Sequence, residues 1–295
     1  MMKRILFMAA AFAAFANRAD AKLHVVTTVE TFKSLAEEVG GDKVEVAALV
    51  GDAVDPHFVD PRPSYAILLN RADLLVHVGL QLEVGWLPPL LAQSRNPAIQ
   101  TGQVGNLDAS SSGLAIQDIG VGLSRTQGDI HPLGNPHYWL PPDNALAVAR
   151  AIAERLKRLD AADAAYFDDR LAQLGRRLAD KKAAWQAAAR TLAGVKVVTY
   201  HKSWGYFTSW LGIVEMGYVE PKPGIPPDPA HLAELVRDAK AQGAKLVIVE
   251  SFYPRNTAER VAALGGMKLL VLPSDGDHYF ALIDSLIQKL TDAVK

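Results

Sequence analysis

Short runs of β-branched and aliphatic residues alternate with amphipathic stretches along most of the chain, the pattern of βα units built on parallel sheets. Residues 24–28 (HVVTT) read as a first strand, 31–39 as a helix and 44–50 as a second strand. A helix over 64–71 and a short buried strand over 74–78, ending at Gly79, follow. Residues 100–134 are rich in Gly, Ser and Asp with weak periodicity and read mostly as loop. A helix begins near Pro142, with Asp143 as its cap, and runs to about Leu159.

From 161 to 192 the chain is rich in Ala, Leu, Arg and Asp and carries neither Gly nor Pro except Gly175. Phe167, Leu171, Leu174, Leu178 and Trp185 recur at spacings of three, four and seven. That is a helix of up to about 30 residues, roughly 45 Å long. Its length suits it to joining two bodies. Alternation then resumes, with strands at 195–200, 246–250 and 268–272 and helices at 230–242, 257–264 and 279–294. The expected architecture is α/β: two lobes, each a mainly parallel sheet flanked by helices, bridged by one long helix. The boundaries are an N-terminal lobe over 22–160, the connecting helix over 161–192 and a C-terminal lobe over 193–295. No internal sequence repeat is visible.

Residues 1–21 stand apart. Lys3 and Arg4 precede an apolar run over 5–16, and Ala19-Asp20-Ala21 offers a small-x-small cleavage site. A run of that length is too short for a membrane helix, which needs about 20 residues. It reads as a signal peptide, and no later segment is long and apolar enough to span a bilayer. The expected product is an exported protein of the bacterial periplasm.

Composition narrows the chemistry. The 295 residues are 49% apolar and 21% charged, with 31 basic against 32 acidic side chains, which signals a globular chain without a basic surface for nucleic acid. Cysteine is absent, so disulfides, thiolate metal sites and thiol nucleophiles are excluded. Chemistry falls to oxygen and imidazole. In open α/β sheets ligands sit beyond the C-terminal ends of strands. Four such places carry metal-compatible donors: His57 in Asp55-Pro56-His57, His137 in Asn135-Pro136-His137-Tyr138-Trp139, His201 directly after a strand, and the segment Asp275-Gly276-Asp277-His278. Three imidazoles and a carboxylate suit a tetrahedral divalent ion, although separations of 64 to 80 residues cannot by themselves bring them together.

These segments, in this order, resemble the zinc/manganese-binding substrate-binding proteins of ABC transporters, the ZnuA/TroA-like group. Tyr200-His201-Lys202-Ser203-Trp204-Gly205-Tyr206-Phe207, Gly276-Asp277-His278-Tyr279-Phe280 and the Glu220–Pro227 stretch fit the same pattern. The likeness covers roughly residues 23–290. It implies two α/β lobes, one metal ion in the cleft between them, and His57, His137, His201 and Asp277 as ligands. It also implies a membrane permease as partner, and a monomer that captures the ion without catalysis. Asp275 takes the place of Asp277 if the loop register differs.

The His-rich loop of some zinc-specific members is missing, since residues 114–133 hold only His131. His201 stands where manganese-specific relatives often carry Glu, and imidazole there favours Zn2+ over Mn2+. The rival readings are a Mn2+ carrier, an exported adhesin with structural metal, and a zinc hydrolase. The last lacks an H-E-x-x-H pair. Glu250 reads as a supporting carboxylate and His131 as a solvated loop residue near the cleft. His24 and His77 read as core histidines, and His231 lies in the first turn of a helix capped by Asp228. Trp204, Tyr206 and Phe207 read as packing around the site.

Overall fold

The computed structural model describes residues 22–118, 128 and 130–295; the proposed leader over 1–21 lies outside them. In the N-terminal half, β1 (Leu23–Thr27), β2 (Val44–Ala48), β3 (Leu74–His77) and β4 (Asn106–Asp108) form a parallel sheet in the order β2-β1-β3-β4. Helices α1 (Glu30–Gly40), α2 (Pro63–Arg71), α3 (Leu87–Ser94) and α4 (Pro142–Leu159) accompany it. The C-terminal half has β5 (Lys196–Thr199), β6 (Val214–Tyr218), β7 (Leu246–Val249) and β8 (Lys268–Val271), again all parallel, in the order β6-β5-β7-β8. In both sheets the second strand in chain order lies outside the first, with the third and fourth on its other side. The two halves therefore repeat one topology without repeating a sequence.

The central strands are apolar because both of their faces are covered: all four residues of β7 are buried, as are Leu74, Leu75 and Val76 of β3. The edge strands β4 and β6 were not legible in the sequence. Val214-Glu215-Met216-Gly217-Tyr218 is only partly buried and so lacks a continuous apolar signature. Two short helices were also missed, α3, with prolines in its first turn, and α6 (Gly205–Leu211), only seven residues long.

The long helix is α5 (Ala164–Ala188), with 3₁₀ turns at Ala161–Asp163 and Ala189–Leu192 in place of α-helix at its two ends. Phe167, Leu174, Leu178 and Trp185 are buried along one side, as their spacing predicts. They belong to one core cluster that runs from Phe32 and Leu35 on α1 through Trp139 to Trp204 and Ile283. Helices α7 (Pro229–Gln242) and α8 (Arg255–Gly265) pack on β5 and β7, and the closing helix α9 (Tyr279–Val294) packs in the core shared with α5.

The halves are thus joined by more than one helix. Trp139 Nε1 donates to the Ser274 carbonyl at 2.7 Å, and the Tyr279 hydroxyl donates to the Leu140 carbonyl at 2.8 Å. Asp275, from the C-terminal half, accepts the backbone N–H groups of Glu30 and Thr31, each at 2.8 Å. Those donors open α1, whose own N-cap Val29 has no side chain to satisfy them.

Candidate metal centre

The site grows from three turns, two after strands and one before a helix. After β2, Asp55 Oδ1 accepts both the backbone N–H of His57 at 2.9 Å and its ring Nδ1 at 2.6 Å. Before α4, Asn135 Oδ1 does the same for His137, at 3.1 Å to the backbone and 2.8 Å to Nδ1. The two turns share a local design, Asx-Pro-His, in which a short side chain fixes both the backbone and the ring two residues on. After β5, His201 Nδ1 meets Glu220 Oε2 at 2.8 Å, and Glu220 is held in turn by the Gly224 N–H at 3.2 Å.

Because each Nδ1 faces an oxygen acceptor, each ring carries its proton there and turns Nε2 the other way. The three rings are buried, and each offers one ligand atom within 4.8 Å of the others. Ring centroids lie 5.0 Å apart for His57 and His137, and 5.2 Å apart for the other two pairs. Tetrahedral coordination with metal–nitrogen bonds of about 2.0–2.1 Å places imidazole centroids about 5.2 Å apart. The rings stand at the spacing of three corners of such a site.

Supporting contacts tie the turns together. Asn135 Nδ2 donates to the Lys202 carbonyl at 3.1 Å, and the Tyr206 hydroxyl donates to the Asn135 carbonyl at 2.7 Å. Trp204 and Phe207 are fully packed nearby, as expected of them.

The electrostatics favour a cation. Burial works to raise the Asp55 carboxyl, but its hydrogen bond and charge interaction with His57 outweigh that and hold it below the usual range. Burial pushes His137 well below the ordinary imidazole value, with repulsion from His57, His201 and His131 acting in the same direction. It stays neutral, the form that binds metal. Glu250, only 1% exposed, is pushed up to about 8 mainly by burial; a Ser203 hydrogen bond opposes that, and the Asp55 and Glu220 charges add to it. Burial thus favours its neutral form.

The fourth expected ligand is not with the other three. The Asp277 side chain is 59% exposed, with His278 as its ion-pair partner at 4.0 Å, and its charge acts on Glu30 at the start of α1. Asp275 is buried, with both oxygens engaged on the first N–H groups of α1. Of the remaining histidines, three sort differently from their sequence reading. His24 is half exposed beside Glu45 rather than in the core, and His77 is half buried against Asn106 Oδ1 at 3.2 Å. His231 sits at the Asp228 cap as expected. His131 is not solvated: it is 4% exposed and borders, with His137, His201, Lys202 and Glu220, a cavity of about 250 Å³. The positioning roles of Asp55, Asn135 and Glu220 were missed, although the repeated Asx-Pro-His triplet was there to be seen.

Two parallel-sheet lobes with converging imidazoles at their facing strand ends define a metal-binding protein of the substrate-binding type. Over residues 25–293 the sequence matches the family described as ZnuA, zinc-uptake complex component A, periplasmic, and the chain belongs to that family of ABC-transporter substrate-binding proteins. It is 25% identical to the high-affinity zinc uptake system protein ZnuA of Bacillus subtilis (strain 168), over 93% of this chain and 87% of that one. It is 21% identical to the manganese ABC transporter substrate-binding lipoprotein PsaA of Streptococcus pneumoniae, over 92% and 89%. Its fold is similar to a crystal structure of ZnuA (TM-score 0.80, 24% identity, 93% of this chain and all of that one). It is also similar to FpvC of Pseudomonas aeruginosa in complex with Mn2+ (TM-score 0.77, 22% identity, 93% and 98%). These relatives are transport proteins, and this chain is a metal-binding transport component rather than an enzyme. No helix among the described residues is long and apolar enough to cross a membrane.

Proposed function

We propose that this protein captures Zn2+ in the periplasm through the Nε2 atoms of His57, His137 and His201 and delivers it to a cognate ABC permease. The N-terminal lobe, connecting helix and C-terminal lobe, divided at about residues 160 and 192, are the working parts of that proposal, with 1–21 as a leader and the mature chain acting as a monomer. One observation carries the reading: three buried imidazoles, each with Nδ1 anchored on an oxygen acceptor, stand at 5.0–5.2 Å between centroids. Such outer partners orient ligand rings and raise their basicity. Imidazole donors suit zinc better than manganese. A Mn2+ carrier is the second reading, supported by the manganese name of the pneumococcal relative.

Elemental analysis of the purified protein, followed by competition titrations against chelators of known affinity, tests the proposal. His57→Ala, His137→Ala and His201→Ala are each expected to weaken zinc binding by about two orders of magnitude or more. The apo fold, followed by circular dichroism, is expected to persist. Manganese in the purified protein together with tighter Mn2+ than Zn2+ binding selects the second reading. Wild-type affinity in all three variants removes the site altogether.

A further inference from the structure

The three imidazoles stand at the spacing of three corners of a tetrahedron, and a fourth imidazole, that of His131, is buried beside two of them. Its ring centroid lies 5.2 Å from that of His57, the same separation that holds among the proposed ligands, and 6.4 Å from that of His137. A ring movement of roughly 1 Å toward His137 brings it to the tetrahedral imidazole spacing from both of those rings. The side chain is buried and lines the same cavity as His137 and His201.

Its backbone is well placed for the task. The Gly134 N–H donates to the His131 carbonyl at 3.0 Å, closing a tight turn that leads straight into Asn135-Pro136-His137. Gly134 has φ 123°, and a Cβ there would strike Ile116, so this turn requires glycine. The far end is pinned by the Asn135 N–H on the Gln117 carbonyl at 2.9 Å. His131 is therefore carried by the turn that positions a proposed ligand. The two aspartates expected to supply an oxygen are directed elsewhere, Asp275 onto α1 and Asp277 into solvent.

We propose that His131 is the fourth metal-binding side chain and that the resulting all-imidazole set makes the site discriminate Zn2+ from Mn2+. The proposal rests on the three-histidine reading above. Four nitrogen donors in a closed tetrahedron match zinc, whereas manganese favours oxygen donors and higher coordination.

The test compares wild type, His131→Ala, His131→Gln and Asp277→Ala as full-length mature proteins. Zn2+ and Mn2+ affinities come from chelator competition, and visible absorption of the Co2+-loaded proteins reports the donor set. His131→Ala is expected to lower zinc affinity about tenfold to a hundredfold while changing manganese affinity less than about threefold. The Co2+ ligand-field bands are expected to shift as an imidazole leaves. Asp277→Ala is expected to change none of these readouts. Should the alanine variant fail to fold as apo protein, His131→Gln carries the same comparison, since it keeps side-chain bulk but lacks an imidazole nitrogen. Unchanged zinc affinity and Co2+ spectrum in the folded His131 variant overturn the proposal, as does a spectrum altered by Asp277→Ala alone. Failure of the underlying reading is distinguishable, because then His57→Ala would also bind zinc like wild type.

Discussion

At the scale of single residues, the proposed site is organised by oxygen atoms that hold the imidazole rings from behind. Asp55, Asn135 and Glu220 each hold an Nδ1 and so decide which nitrogen is available. Asp55→Ala is therefore expected to weaken zinc binding about tenfold to a hundredfold although every ligand remains, and Asp55→Asn to weaken it less. Chelator competition measures both, and equal affinities across the series would show that the ring is held by packing alone. Glu250 gives a pH signature. Its folded value of about 8 lies above the carboxylate value of an unfolded chain, so the folded protein keeps a proton that the unfolded chain releases. Stability from that source is full below the unfolded value and is lost as pH rises toward 8. His137 acts in the opposite sense: its depressed value means that the unfolded chain takes up a proton first as pH falls below about 6.5, which destabilises the apo fold on the acid side. Glu250→Gln is expected to flatten the decline of the apo melting temperature between about pH 6.5 and 8 and leave the acid limb in place. Identical profiles for both proteins would mean that Glu250 is ionised in the fold.

At the scale of elements, α1 starts where the halves meet and has no cap of its own. Asp275 satisfies its first N–H groups from across the molecule, and the partial positive charge of the helix terminus favours the carboxylate there. Asp275→Ala is expected to lower stability by about 1–2 kcal/mol, the usual cost of a lost cap. Zinc affinity is expected to stay within about threefold of wild type, because both Asp275 oxygens are engaged on α1. Denaturant unfolding and metal titration of one preparation give both numbers. The aspartate beside it in sequence shows how little separates the two roles: with Asp275 anchored on α1, Asp277 faces outward. A loop of alternating Asp and Gly permits either register, so its sequence leaves the choice open.

At the scale of the whole molecule, the halves share one continuous core through α5 and α9, reinforced by the Trp139–Ser274 and Tyr279–Leu140 hydrogen bonds. Large hinge opening would expose that core, so metal release is expected to proceed with small lobe movement and local motion of the loops. Crystal structures with and without zinc would measure it, and a rigid-body rotation above about 20° would contradict the shared-core account. Zinc at 100 times its dissociation constant stabilises the folded state by roughly 2.7 kcal/mol. For a chain of this size that corresponds to a rise in melting temperature of about 5 °C.

Elements whose residues make their own case were legible from the chain. The buried central strands are continuous apolar runs, the long helix shows its period through Phe167, Leu174, Leu178 and Trp185, and His201 closely follows a strand. Local patterning suffices there because burial on a strand or along one helix side imposes a period on the sequence. Of the edge strands, β6 escaped because its partial burial leaves no continuous apolar run, and β4 because Asn106-Leu107-Asp108 is only three residues long and holds one apolar side chain. The ligand set depends on distances between residues far apart in the chain, which a linear pattern does not encode. Folding brought His57, His137 and His201 together and turned Asp277 away. It also buried His131 beside them, where the chain alone suggested a solvated loop. Convergence of side chains across two sheets is a property of packing, since the donors come from separate turns of both halves and only the shared core sets their separation.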